Sequence, residues 1–338
     1  MGNPRFLSSL AFFASLFAFG VIALGAFTRL IDAGLGCPDW PGCYGHLMVP
    51  GAEQISSQFM QSPLVAYKAW AEMIHRYFVG GLSLFIVSII GLIFAKKSFR
   101  TRSNIILAVC LVLLLAYQIE LGRWTVTLKL LPIVVTQHLL GGFLILSTLW
   151  VIYLNNKQIK QNTSQAVNGL LPWAIVGLVI LLAQITLGAW TSTNYASLSC
   201  PDFPFCMNDQ PTMTMYFKAA FDIFAPTGVN YEGGVLPESI RQTIQMTHRM
   251  GALVLLSYMF IFAVFAMRKL NRSPELLKSL YLILALLTVQ LCIGITNIIF
   301  KLPLITAISH NLVAVLLLLA VITFIFKLAA TRQKVFAT

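Results

Sequence analysis

Apolar residues in this chain come in unbroken runs of about 20 residues or more, the length at which an α-helix crosses a hydrocarbon core of roughly 30 Å. Eight such runs stand at about 7–30, 66–95, 104–126, 133–154, 169–193, 238–267, 276–300 and 304–327. They predict an all-α integral membrane protein of eight transmembrane helices, because a span in lipid must satisfy its backbone hydrogen bonds within itself. An even number of spans puts both termini on one side. Two long polar segments, about 31–65 and 194–237, follow the first and fifth spans, while the other connections are short. Connections longer than about 15 residues are usually functional or disordered. Both of these carry Gly, Pro and a cysteine pair, which favours function.

Composition agrees: 58% of the 338 residues are hydrophobic, 10% are charged, and the mean hydropathy is +0.82. A water-soluble globule needs more polar surface than that. Charge adds the orientation. Of 23 basic residues, 14 fall at the N-terminus (Arg5), in the loops with Lys96, Lys97, Arg100 and Arg102, with Lys157 and Lys160, and with Arg268, Lys269, Arg272 and Lys278, and in the tail with Lys327, Arg332 and Lys334. Only Glu275 among the acids accompanies them. Short cytoplasmic loops collect Lys and Arg, so both termini are expected in the cytoplasm and the cysteine-bearing loops outside. The net charge of +12 does not indicate nucleic-acid binding, because it is divided among short loops between spans. The first six residues are too short, and the following run too long, for a cleavable signal, and position 6 lacks the Ser or Thr of a myristoylation signal. A bacterial plasma membrane is the expected location.

The chain repeats itself. Residues 25–43, GAFTRLIDAGLGCPDWPGC, realign at an offset of 163 with residues 188–206, GAWTSTNYASLSCPDFPFC, ten of nineteen positions being identical. Beyond the longer second loop the offset becomes 172 to 173, pairing His75 with His248, Gln118 with Gln290, Gly122 with Gly294, Lys129 with Lys301 and His138 with His310. Two tandem four-helix bundles of like orientation, related by pseudo-twofold symmetry, are expected, with the division at 1–160 and 161–338.

Four of the five histidines lie at these repeat-related positions. His75 is about nine residues into its span and His138 about five, which at 1.5 Å per residue places both roughly 8–14 Å below the outer surface. Two imidazoles at one level inside a four-helix bundle suit axial ligation of a haem iron, so His75 with His138, and His248 with His310, are the candidate metal ligands. A zinc site calls for three or four close ligands, and no span here bears two histidines. Small residues beside them in RYFVGG, HLLGG and HRMGA leave room for a flat macrocycle and equally serve helix packing. Arg76 and Arg249 follow the first histidine of each pair; they are candidate propionate contacts, with interfacial snorkelling the competing role. His46 has no repeat partner and reads as a solvated loop residue.

The halves differ where charge is costly. Glu72, one turn from His75, faces Gln245 in the alignment; Glu120 faces Cys292 and Arg123 faces Ile295. Glu120 and Arg123 are one turn apart and are expected to neutralise each other. Glu72 shows no such local partner, which marks it as a functional carboxylate that accepts protons or stabilises positive charge. Orienting His75 or capping the second span are its structural alternatives. Cys110 and Cys292 fall within spans and read as inert packing residues. Cys37 with Cys43 and Cys200 with Cys206 form C-x5-C pairs in the outer loops, where structural disulfides are favoured over redox-active ones. No C-x-x-C-H motif for a c-type haem is present.

The residues GAFTRL, GLGCPDWPGCYG, EMIHR, TQHLLGG, MTHRMGA and ISHNLVA resemble the haem A synthase (CtaA/Cox15) family over nearly the whole chain. The resemblance implies an enzyme that oxidises the C8 methyl of haem O to a formyl group, giving haem A for cytochrome oxidase. It implies substrate haem held between His75 and His138, a haem b cofactor between His248 and His310 that passes electrons, and Glu72 as the family's functional glutamate. Members differ in whether one, both or neither loop carries a cysteine pair. Expected partners are haem O, the haem O synthase that supplies it and membrane lipid, with a homo-oligomer left open. Two rivals were weighed on the residues. A di-haem cytochrome b oxidising quinol hangs two histidines on each of two helices, whereas here four helices carry one each; a haem transport or delivery protein would leave the haem unchanged.

Overall fold

The computed structural model describes residues 4–59, 62–157, 169–207, 213–271 and 273–335. Its helices are α1 (Pro4–Leu30), α2 (Ala66–Ala95), α3 (Arg102–Thr127), α4 (Pro132–Asn156), α5 (Leu170–Thr193), the short α6 (Phe217–Ala220), α7 (Glu238–Leu270), α8 (Pro274–Ile299) and α9 (Leu304–Val335). All but α6 are long and apolar enough to cross a membrane, giving the eight expected spans, and no strand occurs among the described residues. Lys160, Arg272 and the boundary between residues 160 and 161 lie outside the described residues; of Arg332 and Lys334 only the backbone is described.

Local signals set the helix starts. Thr101 caps α3 by accepting from the Asn104 N–H at 3.2 Å, and proline opens α4 and α8, where its missing N–H costs nothing. The turns between α3 and α4 and between α8 and α9 are built alike, with left-handed backbone at Lys129 and Leu130 in one and Lys301 and Leu302 in the other.

The contacts form two closed rings of four helices: α1 touches α2 and α4, and α3 touches α2 and α4; α5 touches α7 and α9, and α8 touches α7 and α9. Between the rings, α4 meets α5, α1 meets α9, and α4 meets α9. On α1 the buried residues Leu7, Ala11, Ala14, Ala18 and Val21 recur every three or four positions, a stripe of small side chains that allows close helix approach. Gly25 and buried Thr28 continue it. Ile86, Ile89 and Ile93 of α2 and Leu146, Leu149 and Ile152 of α4 complete an aliphatic core at the end of the bundle away from the cysteine loops. Leu84, Val87, Leu113, Val179, Phe260 and Ile305 point outward, as expected where lipid is the solvent.

At the cysteine-loop end, residues separated by the repeat offset meet each other. Arg29 donates to the Ser192 carbonyl at 2.5 Å and lies over the Tyr195 ring at 4.0 Å, and the Tyr195 hydroxyl donates to Asp32 at 2.8 Å. Burial pushes the Tyr195 phenol above its ordinary pKa. The second long loop also reaches over the first ring: Tyr231 is buried against Leu121, Leu130, Leu131 and Val134, its N–H donates to the Lys129 carbonyl at 3.1 Å, and Glu232 pairs with Lys68 at 3.0 Å.

Candidate functional site

Each of the four histidines rests against a glycine of a neighbouring helix. A Cβ added at Gly25 of α1 would stand 3.0 Å from Cε1 of His75 on α2, and one at Gly122 of α3 would stand 3.5 Å from Cε1 of His138 on α4. In the second ring the corresponding distances are 3.1 Å from Gly188 of α5 to His248 and 3.2 Å from Gly294 of α8 to His310. Each ring carries one predicted pair on opposite members of the ring, His75 on α2 with His138 on α4, and His248 on α7 with His310 on α9. The four supporting glycines went unassigned in the sequence reading, although all four are repeat-related positions.

The buried Nδ1 atoms of His75, His138 and His310 have no hydrogen-bond partner. Two imidazoles per ring, each against a wall lacking a Cβ, form a nitrogen donor set of the kind that would hold a haem iron; Nδ1 of His248 meets the Gln184 amide at 3.1 Å and Nε2 of His310 the Gln290 amide at 3.2 Å. Among the described residues no group of three or more His, Cys, Asp or Glu converges.

Above each pair stands a disulfide loop, Cys37–Cys43 in one ring and Cys200–Cys206 in the other. Each contains a cis proline bond, Trp40–Pro41 and Phe203–Pro204. Both loops are tied down by the arginine that follows the first histidine. Arg76 Nη1 donates to the carbonyls of Asp39, Pro41 and Gly42 at 3.1, 3.1 and 2.5 Å. Arg249 Nη1 donates to those of Asp202, Pro204 and Phe205 at 2.7, 3.2 and 2.9 Å. Each loop is thus held by charge-assisted bonds to the helix that carries the first histidine of its pair.

The second nitrogen separates the rings. Arg249 Nη2 donates to the Cys200 carbonyl at 2.7 Å, whereas Arg76 Nη2 pairs with Glu72 Oε1. The other carboxylate oxygen of Glu72 accepts from the Cys37 N–H at 2.9 Å. This corrects the expectation that Glu72 lacks a local partner: Arg76, one turn along α2, is that partner, and the pair is buried. Glu72 makes no bond to His75 and does not cap α2, whose cap is Val65 without a side-chain bond. Gly36 makes the contact geometrically feasible, since a Cβ there would lie 2.5 Å from the Lys68 backbone carbon. Ser199 and Gln245 occupy the equivalent places in the second ring, and Gln245 Oε1 is buried without a partner. The Glu72 charge, after burial and Asp39, also raises the pKa of Tyr44 in the loop.

Glu120 and Arg123 form the expected ion pair, at 2.8 Å, on a half-exposed face of α3. Cys110 and Cys292 are free, and both are exposed on the outer helix faces instead of packed inside as expected. His46 is an exposed loop residue whose backbone pairs with Cys43.

The model of a family described as a cytochrome oxidase assembly protein, COX15-CtaA, matches residues 8–322. A haem A synthase of Shewanella oneidensis is 42% identical over 91% of this chain and 92% of its own length. Haem A synthases of Bacillus licheniformis and Bacillus cereus are 26% and 25% identical, over 86% and 98% of this chain and 85% and 95% of their own lengths.

Proposed function

The chain belongs to the COX15-CtaA family, and from that premise and the site geometry we propose that it is a multi-pass membrane enzyme oxidising the C8 methyl of haem O to the formyl group of haem A. The unit of residues 1–160 receives the substrate between His75 and His138, and the unit of residues 161–338 holds haem b between His248 and His310. The contacts of α1 with α9 and of α5 with α4, together with those joining Arg29 to Ser192 and Asp32 to Tyr195, support a pseudo-twofold relation between the units. The uneven spread of basic residues supports cytoplasmic termini and outer cysteine loops in a bacterial plasma membrane. The haem O synthase that supplies the substrate is the partner this activity calls for.

One observation carries the division of labour: a carboxylate, Glu72, stands one turn from His75, while an amide, Gln245, stands at that place in the other unit. Taking a methyl to a formyl brings in an oxygen atom and, with water as its source, releases a proton for every electron passed to an acceptor outside the chain, so the reacting unit needs a proton acceptor and the relay unit does not. Haem b supplies one-electron chemistry when bound. The protein supplies position and charge. Glu72 Oε1 and Oε2 are presented by Arg76 and the Cys37 N–H. When Glu72 takes up a proton, Arg76 loses its counter-charge but stays solvated by its three loop carbonyls. Gly25 and Gly122 let the ligand rings lie against the backbone of the neighbouring helix, and the loop above excludes water. Arg249 retains one donor for a propionate, its buried and unpartnered Nε; Arg76 is the corresponding contact in the first unit.

Co-production with a haem O source, followed by chromatography and mass analysis of the extracted haems, is expected to yield haem A. Recovery of haem O alone from a protein loaded with both haems would overturn the activity and favour a delivery role. Gly36→Ala forces the loop away from α2 and separates the Cys37 N–H from Glu72. Haem A formation is expected to fall about tenfold or more, a typical cost of misplacing a reacting group by an ångström, while haem b content measured by pyridine haemochrome stays at the wild-type level.

A further inference from the structure

One turn before three of the four supporting glycines, on the side away from the cysteine loops, stands a glutamine: Gln118 before Gly122, Gln184 before Gly188 and Gln290 before Gly294. The fourth, Gly25, which supports His75, is preceded by Val21. The consequence shows in the first histidine of each pair. Gln184 Nε2 lies 3.1 Å from Nδ1 of His248 and 3.0 Å from its carbonyl oxygen, whereas buried Nδ1 of His75 has no partner. The space for the amide comes from Gly251, where a Cβ would stand 2.2 Å from Gln184 Oε1. In the first unit the residue equivalent to Gly251 is Phe78, stacked on Phe17 at 5.6 Å. One unit thus has an amide and a glycine where the other has a valine and a phenylalanine.

We propose that Gln184 is a positioning residue that anchors His248 as a permanent iron ligand, and that Val21 with Phe78 leaves His75 unanchored, so that the substrate haem can enter and its product leave. The inference rests on the assignment of haem O to the first unit and haem b to the second. An imidazole bound to iron through Nε2 carries its proton on Nδ1, and a partner for that proton fixes the ring and strengthens the bond to the metal. The Gln184 amide supplies the acceptor when its oxygen turns to the ring, which exchanges the bond from Nε2 to the His248 carbonyl for one from the ring Nδ1–H. His75 has an apolar neighbour on that side. An outer partner of this kind is worth about 10–100-fold in metal affinity, a margin that separates a cofactor that stays from a substrate that exchanges.

The test is haem transfer to excess apomyoglobin from the doubly loaded, detergent-solubilised protein, with each haem followed by chromatography and its axial ligation by low-temperature EPR. Wild-type protein is expected to lose haem O about tenfold or more faster than haem b. Gln184→Val is expected to speed haem b loss by about the same factor and shift the g values of that haem alone. Val21→Gln combined with Phe78→Gly, which installs the second unit's pair in the first, is expected to slow haem O loss, and Gln184→Asn to fall between wild type and Gln184→Val. Unchanged haem b loss and unchanged EPR in Gln184→Val would overturn the proposal, as would unchanged haem O loss in the double variant if its circular dichroism is native. If both sets of variants act but on the opposite haems, the anchoring rule stands and the assignment of haems to units falls.

Discussion

Glu72→Gln is expected to lower haem A formation by about 10²–10⁴-fold, the usual contribution of a positioned general base, with both haems still bound. The substitution keeps the size of the side chain and leaves an oxygen to accept the Cys37 N–H, which Glu72 now binds at 2.9 Å. Arg76 retains its bonds to the carbonyls of Asp39, Pro41 and Gly42, so the loop is expected to stay in place. What is lost is the ability to take a proton and the negative charge. Product analysis on solubilised protein, with haem content measured in parallel, separates this from a folding defect. Haem A formed at more than about a third of the wild-type rate, against the decades expected of a general base, would remove Glu72 from the chemistry and leave it as a strut beneath the loop. Gln245→Glu, which makes the second unit resemble the first, is expected to leave turnover and substrate haem unchanged, because the part proposed for that unit is electron transfer.

The second large effect is expected at the relay. His248→Ala is expected to reduce haem b content by more than the roughly 10–100-fold typical of losing an outer partner, and to stop turnover while haem O still binds. The affected ring lies against Gly188, at 3.1 Å from the position of an added Cβ, so its removal takes away both the ligand and the contact between the two helices. The bundle itself is expected to persist, because its aliphatic core lies at the far end of the helices in residues such as Ile86, Ile89, Leu149 and Phe324. His75→Ala is expected to do the reverse, keeping haem b and losing substrate haem. Extracted haems from the two variants decide it: loss of haem O in His248→Ala with retention in His75→Ala would mean that the units are assigned backwards.

Much of this molecule was legible before any coordinates. The eight spans were found to within a few residues, because an apolar run that must satisfy its own backbone in lipid has one structural solution. The placement of His75, His138, His248 and His310 on four different helices, two in each ring, followed from duplication and from counting along each helix at 1.5 Å per residue. The cysteine pairs were close enough in the chain for their closure to be a local matter. The ion pair of Glu120 with Arg123 was equally local, at one-turn spacing.

Partners supplied by distant segments were not legible. Arg76 was read as facing a propionate or the interface, yet three of its bonds go to a loop more than thirty residues earlier in the chain. Cys110 and Cys292 were read as packed inside, and both face outward, because an apolar residue on an apolar helix carries no periodic signal to distinguish core from lipid. For Glu72, Arg76 stands at the spacing that commonly makes a helical ion pair, but spacing along one helix does not reveal that the second carboxylate oxygen is held by the Cys37 N–H of a distant loop.

The sequence by itself determined the spans, the repeat, the helices that carry the four repeat-related histidines and the presence of one extra carboxylate, since each depends on composition or on spacing within one helix or its duplicate. Only the tertiary structure decided which backbone N–H holds Glu72, which carbonyls hold Arg76 and Arg249, and which histidine has an amide beside its second nitrogen. Those contacts depend on how closely helices approach and where loops fold back. At Gly25, Gly36, Gly188 and Gly251 that approach is set by missing methyl groups, whose effect appears only when the neighbouring element is in place.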